Sequence, residues 1–598
     1  MDRYVDQLAA HDPVAQLRVD GDETASVRST FDLSYQALAS ETQRLFRLLG
    51  LVPAPGGLAS AAAAALAGLP VEAVEPLIDQ LARYHLVKVA ENTRLACHDL
   101  LLQHAANLTA EQDPPAEQDA ATDRLLHFYL HNTDRAAALL HGRSSLKLSR
   151  DPQPDGVPIV EFAAEAHAQQ WLHDEWANIV AGLDFAAATG RHRMAWHLAD
   201  AVRDFMQLQA PPQYRSVVLT GLHAARQAGD LQGEAAMRHS LGVLCWRVAE
   251  FHAMIDECQA AADLAARARW PQGQSAALCN SGIALAQLGQ TRQAIHRFTQ
   301  SLAIDRRIGD RAGEAALLIN LAAAHEQLGN LPAAARFGEA ALRPLRETGQ
   351  RQGEAIALSY LATVRREQGH LVEALDTITA SLAICRSVGA RHDEAAGLTT
   401  LGLVHRDAER HDAALEALTA AFEIAQRLPD RRLTTFALVG LANVQIRRGH
   451  LADAEDRLDA ATNLAHRIEH DRAIVEALLA TCELHLAKQQ PRRAHDRATR
   501  ALEIAQRSGY TLLAAQAHSH LATASLEMRD PAGCLEHCEQ ALTLQRPAGQ
   551  RLAQARTLLL RARAHQSQGD VTLARSHREQ ARRVLDQILP PPSAITNA

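Results

Sequence analysis

Lysine is almost missing from this chain. Of 61 basic residues only Lys88, Lys147 and Lys488 are lysine, and none of them follows a glycine. A phosphate-binding loop of the form G-x-x-x-x-G-K-[ST] needs a lysine at that place to neutralise a triphosphate, so this nucleotide site is excluded. Aromatic residues make up 4% of the sequence while apolar residues make up 47%. The interior must therefore be built from Ala and Leu, which favour helices and let backbones approach closely. No run of about 18 apolar residues is present to span a bilayer. The start, Met1-Asp2-Arg3-Tyr4, has no basic stretch followed by an apolar one, so no secretory signal is expected. The eight cysteines stand singly, apart from Cys534 and Cys538, which is no disulfide framework. A net charge of -8 and an isoelectric point near 6.4 argue against a general nucleic-acid-binding surface. A reduced, soluble, cytoplasmic protein is expected, with no membrane and no direct nucleic-acid contact.

What is present is a period. Glycine recurs at Gly289, Gly329, Gly369, Gly449 and Gly569, and the same slot of the 40-residue frame holds Glu409, Gln489 and Arg529. A small residue recurs at Gly242, Gly282, Ala322, Ala362, Gly402, Ala442, Cys482, Ala522 and Ala562. Its counterpart twelve residues later runs Ala294, Ala334, Ala374, Ala414, Ala454, Ala494, Cys534 and Ala574. A fixed period of this length marks a solenoid, whose units bury their apolar faces against their neighbours. In the unit 311–350, Leu317, Leu318, Leu321 and Leu328 fall at helical spacing, predicting a helix over 314–328. Gly329 ends it, a second helix covers 331–346, and Gly349 closes that one. Glu314 in the first turn is expected to meet the exposed N–H groups there.

The order Leu321-Ala322, Gly329, Ala334 resembles the tetratricopeptide repeat, and Phe298 stands in that family's aromatic slot, where most units here place Ile378, Leu418 or Leu458. The unit is about six residues longer than the usual ~34. Nine units cover 231–590, and 191–230 resembles a degenerate tenth. The resemblance implies an all-α solenoid, a superhelix of helix hairpins.

The other end carries a second resemblance. Val27-Arg28-Ser29-Thr30-Phe31-Asp32-Leu33-Ser34-Tyr35 and Leu45-Phe46-Arg47-Leu48-Leu49-Gly50 precede an Ala-rich helix at 59–67 and an amphipathic helix from Val71 to His85. A short strand pair at 87–89 and 94–97 and the run His98-Asp99-Leu100-Leu101 follow. This is similar to the winged helix of bacterial STAND regulators of the SARP-associated, NB-ARC type. Those regulators run nucleotide switch, winged helix, tetratricopeptide sensor. Trp171-Leu172-His173-Asp174-Glu175-Trp176-Ala177-Asn178-Ile179 resembles their helical bridge into the repeats. The expected organisation is a remnant of a preceding helical domain at 1–25, a small winged-helix domain at 26–108, and acidic, Pro-rich linkers with one helix at 109–158. A helical bridge at 159–190, repeats at 191–590 and a disordered tail at 591–598 follow. The P-loop domain is lacking, which fits a truncated or split regulator, or a start read too far downstream. The resemblance implies a nucleotide-sensing role for His98 and Asp99; without a nucleotide domain the alternative is that the pair ends a strand and caps the next helix, with Asp99 as cap. The helix in the DNA-recognition position carries Glu72, Glu75 and Asp79 against Arg83 alone, so direct DNA binding is not expected.

Cys534, His537 and Cys538 have a spacing that could suggest a metal, but both cysteines fall in core slots, where Cys behaves as a small hydrophobe. His325, His405, His485 and His565 share one slot in alternate units and read as packing residues. No catalytic constellation is supported, and neither a cofactor nor a metal is expected. Projecting the repeat family's inward positions places Asn280, Asn320, Arg366, Arg406, Asn443 and Arg447 in a concave groove, beside Ile356, Leu403 and Phe436. The alternative for the arginines is ordinary charge balance by Glu326, Glu367 and Asp407. That groove suits a protein or peptide partner bearing carboxylates. The expected function is a non-enzymatic interaction and sensor module of a STAND-type transcriptional regulator, coupled to a separate nucleotide-binding or DNA-binding regulator. The alternatives are a stand-alone peptide-binding adaptor and a fragment of an NTP-hydrolysing regulator.

Overall fold

The fold is taken from a computed structural model that describes residues 27–90, 94–141, 146, 148–203, 205 and 213–588. The expected remnant at 1–25 and the tail at 591–598 lie outside the described residues. Two compact units divide at Ala277 and Leu278.

In the first unit, helices α1 (Val27–Gln36), α2 (Ser40–Leu48), α3 (Ser60–Ala67) and α4 (Val71–Arg83) lead into an antiparallel pair, β1 (Lys88–Val89) and β2 (Leu95–Ala96). A bridge between Leu58 and Leu95 extends that pair on one side. Ala62 to Ala67 are buried all round, because small side chains let α3 sit at the centre of the segment. Its C-terminal carbonyls meet cations: Arg124 donates to Ala65 O and Leu66 O, and Arg44 to Ala67 O, at 2.8–3.0 Å.

Then come α5 (Asp99–Gln112), α6 (Pro115–His141), α7 (Glu165–Ala188), α8 (His192–Ala201), α9 (Tyr214–Gln227), α10 (Leu231–Arg247) and α11 (Phe251–Arg267). The acidic linker expected at the start of 109–158 is a correction: residues 109–123 are largely helical. Those residues are the end of one helix and the start of the next, with Pro115 first in α6, where its missing N–H costs nothing. Their acidity is matched rather than solvated. Asp113 takes a two-point contact from Arg47 at 2.7 Å, and Glu117 takes Arg44 at 2.7 Å. One core runs from Tyr35 to Trp270, so the segment from Tyr35 to Leu108, the bridge and the first repeats share an interior. The bridge motif locks the strand pair in place. Glu175 on α7 grips Arg94 at 2.7 and 3.0 Å, and Asn178 holds Gly56 N and Gly57 O at 3.0 and 2.8 Å.

The remaining helices pair as hairpins: α12 (Pro271–Gln287) with α13 (Thr291–Ile308), α14 (Arg311–Gln327) with α15 (Leu331–Glu347), α16 (Arg351–Gln368) with α17 (Leu371–Val388), and α18 (Arg391–Asp407) with α19 (His411–Gln426). After them stand α20 (Arg431–Arg448) with α21 (Leu451–Arg467), α22 (Asp471–Ala487) with α23 (Pro491–Arg507), α24 (Thr511–Glu527) with α25 (Pro531–Ala548), and α26 (Arg551–Ser567) with α27 (Val571–Ile588). The small slots are the contact between paired helices: Ala322, Ala362, Ala442 and Cys482 are at most 1% exposed, as are Ala334, Ala374, Ala454 and Ala494. Where the slot is glycine, a bulky partner fills the space. A Cβ on Gly282 would lie 2.6 Å from the Phe298 ring, and one on Gly402 would lie 2.4 Å from Leu418 Cγ.

Each first helix ends on a left-handed residue. Gly289, Gly329, Gly369, Gly449 and Gly569 have φ of 72–87°, and Glu409, Gln489 and Arg529 adopt φ of 56–62° in the same slot. The frame is strong enough to impose on side-chain-bearing residues a conformation that suits glycine. Glu314 is not simply placed at a helix N-terminus, as its position suggested. Arg306 from the preceding helix and Arg311 from its own hold it at 2.8 and 2.7 Å, and the pattern repeats at Glu354 and Glu394.

Candidate partner-binding interior

The second unit winds tightly enough to touch itself. Arg472 Nη2 on α22 reaches Glu326 on α14 at 3.5 Å, and Gln550 Nε2 donates to Glu367 on α16 at 2.8 Å. Leu331, Ala334 and Val364 share an apolar cluster with Leu512 and Ala548. A Cβ on Gly369 would come within 3.0 Å of Ile588. Helices several units apart thus face one another, and the ends of the earlier first helices meet the starts of the later ones.

The six groove residues from the sequence fare differently. Asn320 donates its amide to Cys279 Sγ at 3.6 Å, and Asn280 is half-buried and also has a partner. Arg366 bonds Asp407 at 2.7 Å and its neighbour Glu367. Arg406 contacts the other Asp407 oxygen through two nitrogens at 2.8 and 3.1 Å. For Arg366 the internal charge balance by Glu367 and Asp407 is what the structure contains, and Asp407 does the same for Arg406. Asn443 Oδ1 is buried without a hydrogen-bond partner. Arg447 is solvent-exposed and makes no ion pair among the described residues. Ile356, Leu403 and Phe436 are half-buried, as a flanking apolar surface requires.

Sequence projection missed Arg472, Glu476, Glu483, His520 and Arg556. They lie on later first helices and reach the same interior only because the array curls back on itself. His520 Nε2 lies 3.2 Å from Glu483 and its Nδ1 2.8 Å from Gln516 O. Burial lowers the pKa of His520, but the hydrogen bond to Glu483, that carboxylate's charge and the Gln516 carbonyl together outweigh it and the net shift is upward. Burial likewise opposes the Glu483 carboxylate, yet His520 and nearby arginines bring it down to about 2. Burial raises the pKa of Asp407, while Arg406, Arg366 and Arg556 more than reverse this and hold it below the carboxylate range. Arg556 lies close enough to Asp407, Arg406, Arg447 and Glu483 to feel each charge; burial lowers its pKa, Asp407 opposes, and the two arginines add to the lowering. Burial pushes the Tyr360 phenol up to about 12.

The other candidate residues are accounted for locally. His98 itself, rather than Asp99, is the N-cap of α5, its Nδ1 accepting from Leu100 N at 3.3 Å. Cys534 and Cys538 are fully buried in an apolar cluster with Ala522, Leu560 and Ala564, while His537 stands 3.3 Å from His518. His325 stacks on Phe337 at 5.2 Å and His565 on His577 at 5.3 Å, so this slot does pack a seam. Burial lowers the pKa of His325, His405 and His485. No single helix among the described residues is long and apolar enough to cross a membrane.

A tetratricopeptide-repeat family model matches residues 273–347, 353–427 and 393–467. The chain is 33% identical over 218 residues to the regulatory protein AfsR of Streptomyces coelicolor, covering 36% of this chain and 22% of that one. It is 30% identical over 288 residues to AfsR of Streptomyces griseus, covering 48% and 29%. The chain thus spans under a third of the length of these curated relatives. Among solved structures, a STAND protein with a tetratricopeptide repeat sensor from Pyrococcus horikoshii has 15% identity and a TM-score of 0.38, covering 91% of this chain and 69% of that one. A Rap protein complexed with competence and sporulation factor has 12% identity and a TM-score of 0.44, covering 63% and 98%. Tetratricopeptide repeats are thus matched between residues 273 and 467, and the same helix hairpins continue to Ile588.

Proposed function

We propose that this tetratricopeptide-repeat chain is the sensor part of an AfsR-like STAND regulator: a non-enzymatic module whose interior takes a protein or peptide partner. The likeness to AfsR supports the regulatory setting. The observation that carries the binding role is the curled array, which turns polar and charged side chains of α16, α18, α20, α22, α24 and α26 toward one another beside half-buried apolar ones. Repeat arrays recognise partners on such surfaces without needing a reaction centre.

The order of elements in 40–96, helix, bridge, two helices and strand pair, supports reading this segment as a winged helix. Glu72, Glu75 and Asp79 on α4 make it a protein-facing module rather than a DNA-facing one. Glu175 and Asn178 clamp it to the bridge, so it moves with α7 and can hand a state on to a nucleotide-binding or DNA-binding regulator on a separate chain. His98 and Asp99, at the exposed start of α5, are the positions at which such a partner's nucleotide would be sensed.

A photo-crosslinking amino acid placed at Leu403, in the interior, and in a second variant at Glu423, on an outer helix, tests the binding role in cells that make the protein. A partner trapped from Leu403 and not from Glu423 supports it; the reverse pattern overturns it.

A further inference from the structure

Three successive joints of the array are clasped alike. Arg306, Arg346 and Arg386, in the last turns of α13, α15 and α17, hold Glu314, Glu354 and Glu394 of the next hairpin at 2.7–2.9 Å. The joint from α19 to α20 departs from that pattern at three slots. Gln426 stands in the arginine slot and Thr434 in the glutamate slot, its hydroxyl donating to Ala425 O at 3.3 Å. Pro429 takes the place of Gly309, Gly349 and Gly389, whose φ of 70–75° a proline ring forbids.

At this joint a groove of about 600 Å³ opens between the outer helices α19 and α21. That volume falls within the roughly 300–1,000 Å³ of small-molecule sites. Leu438 and Leu441 of α20, both buried, and half-buried Phe422 give it an apolar lining. Glu423 from α19, with Asp453 and Asp456 from α21, adds three exposed carboxylates from its two flanking helices. Among the described residues Glu423 and Asp456 make no ion pair, and Asp453 has His450 at 3.8 Å. Arg457, also in the lining, donates to Asp453 O one turn back in its own helix at 3.3 Å. Carboxylates gathered around one space repel one another unless a cation joins them.

We infer that this groove binds an aliphatic polyamine, whose ammonium groups meet Glu423 from one helix and Asp453 and Asp456 from the other. Its methylenes lie on Phe422, Leu438 and Leu441, and an ammonium over the Phe422 ring gains from the face of the ring. The bound polyamine ties two hairpins together where the arginine clasp is missing. A bare divalent ion would leave the apolar lining uncovered, and among the described residues no group of three side chains is set to hold a metal. The groove lies on outer helices, so the inference stands apart from the reading of the interior as a partner surface.

Isothermal titration calorimetry of the full chain with spermidine at fixed ionic strength tests this, beside hydrogen exchange of the amides at 427–434. One spermidine per chain is expected, with those amides slowed. Glu423→Gln with Asp456→Asn is expected to weaken binding by about tenfold, through the loss of two charge-assisted contacts. Without spermidine that variant should melt as the parent does, since it breaks no ion pair. Gln426→Arg with Thr434→Glu rebuilds the clasp, because Arg431 already occupies the slot of Arg391. It is expected to slow the same amides without spermidine and to leave little further slowing when spermidine is added. Absence of saturable binding, or a Glu423→Gln, Asp456→Asn variant that binds as the parent does, would overturn the site. Magnesium chloride that displaces spermidine at equal ionic strength would overturn it as well, by showing a general counterion effect. A lysine–alanine peptide that binds more tightly than spermidine would assign the groove to a protein segment instead, and spermidine bound without slowing those amides would remove the tie between hairpins.

Discussion

Residues up to Ala277 and residues from Leu278 onward bury their apolar surface in different ways. All five tryptophans belong to the first unit; Trp196 and Trp270 share one core with Phe46, Phe128, Tyr129 and Phe205, Trp171 and Trp176 pack against it, and Trp246 is exposed. Charge is buried there too: Arg150 spans Asp134 and Asp200 at 2.9 and 2.7 Å, and Arg203 holds the other oxygen of Asp200 at 2.8 Å. From Leu278 the interior is a series of small Ala and Leu clusters, these drawn from two or three successive hairpins. A lesion in the first unit is therefore felt throughout it, while one in the array is felt by its neighbours. The tryptophans let the two be read separately: their fluorescence reports the first unit, and helical circular dichroism reports mostly the array.

The largest separation is expected from Arg150→Ala. It leaves the buried Asp200 with one cation instead of two and Asp134 with none, at a cost of about 3–5 kcal/mol. Tryptophan fluorescence should lose its signal at much lower denaturant while helicity largely persists. Coincident transitions would mean that the units do not fold independently.

Acid should separate them next. Burial holds His197 and His239 down to about 4, so both stay neutral in the folded first unit. The unfolded chain binds their protons below about 6.5, so stability falls with pH between about 6.5 and 4, by on the order of 3 kcal/mol for each histidine. In the array His520 is shifted the other way. Its contribution is complete below about 6.5 and is lost as pH rises through its raised folded value. The seam histidines, lowered by burial, give the array a shallower acid loss of their own. Urea titrations at several pH values, followed by both probes, should show the tryptophan midpoint falling faster on acidification. Parallel slopes would break the distinction.

The smallest effect is a gain. Replacing Glu409, Gln489 or Arg529 by glycine relieves a left-handed backbone, worth roughly 1–2 kcal/mol, less the extra chain freedom glycine has when unfolded. Each variant is expected to stabilise the array by about 1 kcal/mol with the tryptophan midpoint unmoved. Destabilisation would show that these side chains do more than occupy a slot.

What the sequence disclosed follows the same division. In the array, Gly329 and its counterparts announce helix ends, and the Ala322 and Ala334 series announces helix contacts, because both are local and periodic. Glu409 was placed in the glycine slot by the period alone; its left-handed backbone was not foreseen. The interior was legible only in part. Arg366, Arg406 and Arg447 were expected from the repeat family's inward positions, but Arg472 and Arg556 depend on the pitch of the coil, which no single unit encodes. In the first unit, the acidic run around Asp113 read as solvated linker because Arg47, its partner, lies 66 residues away in the chain. The capping role at the start of α5 was expected of Asp99 and falls to His98, a matter of one residue that pattern cannot resolve.

A linear stack of hairpins ordinarily frays from its ends, each unit held only by the one before it. Here the bonds from Arg472 to Glu326 and from Gln550 to Glu367 add rungs between distant storeys of the coil. Peeling away the last hairpins uncovers apolar surface near α14 and α16 as well as on their immediate neighbours. Amide exchange should then protect the middle and the C-terminal helices to similar depth, instead of in a gradient that fades toward the end of the coil.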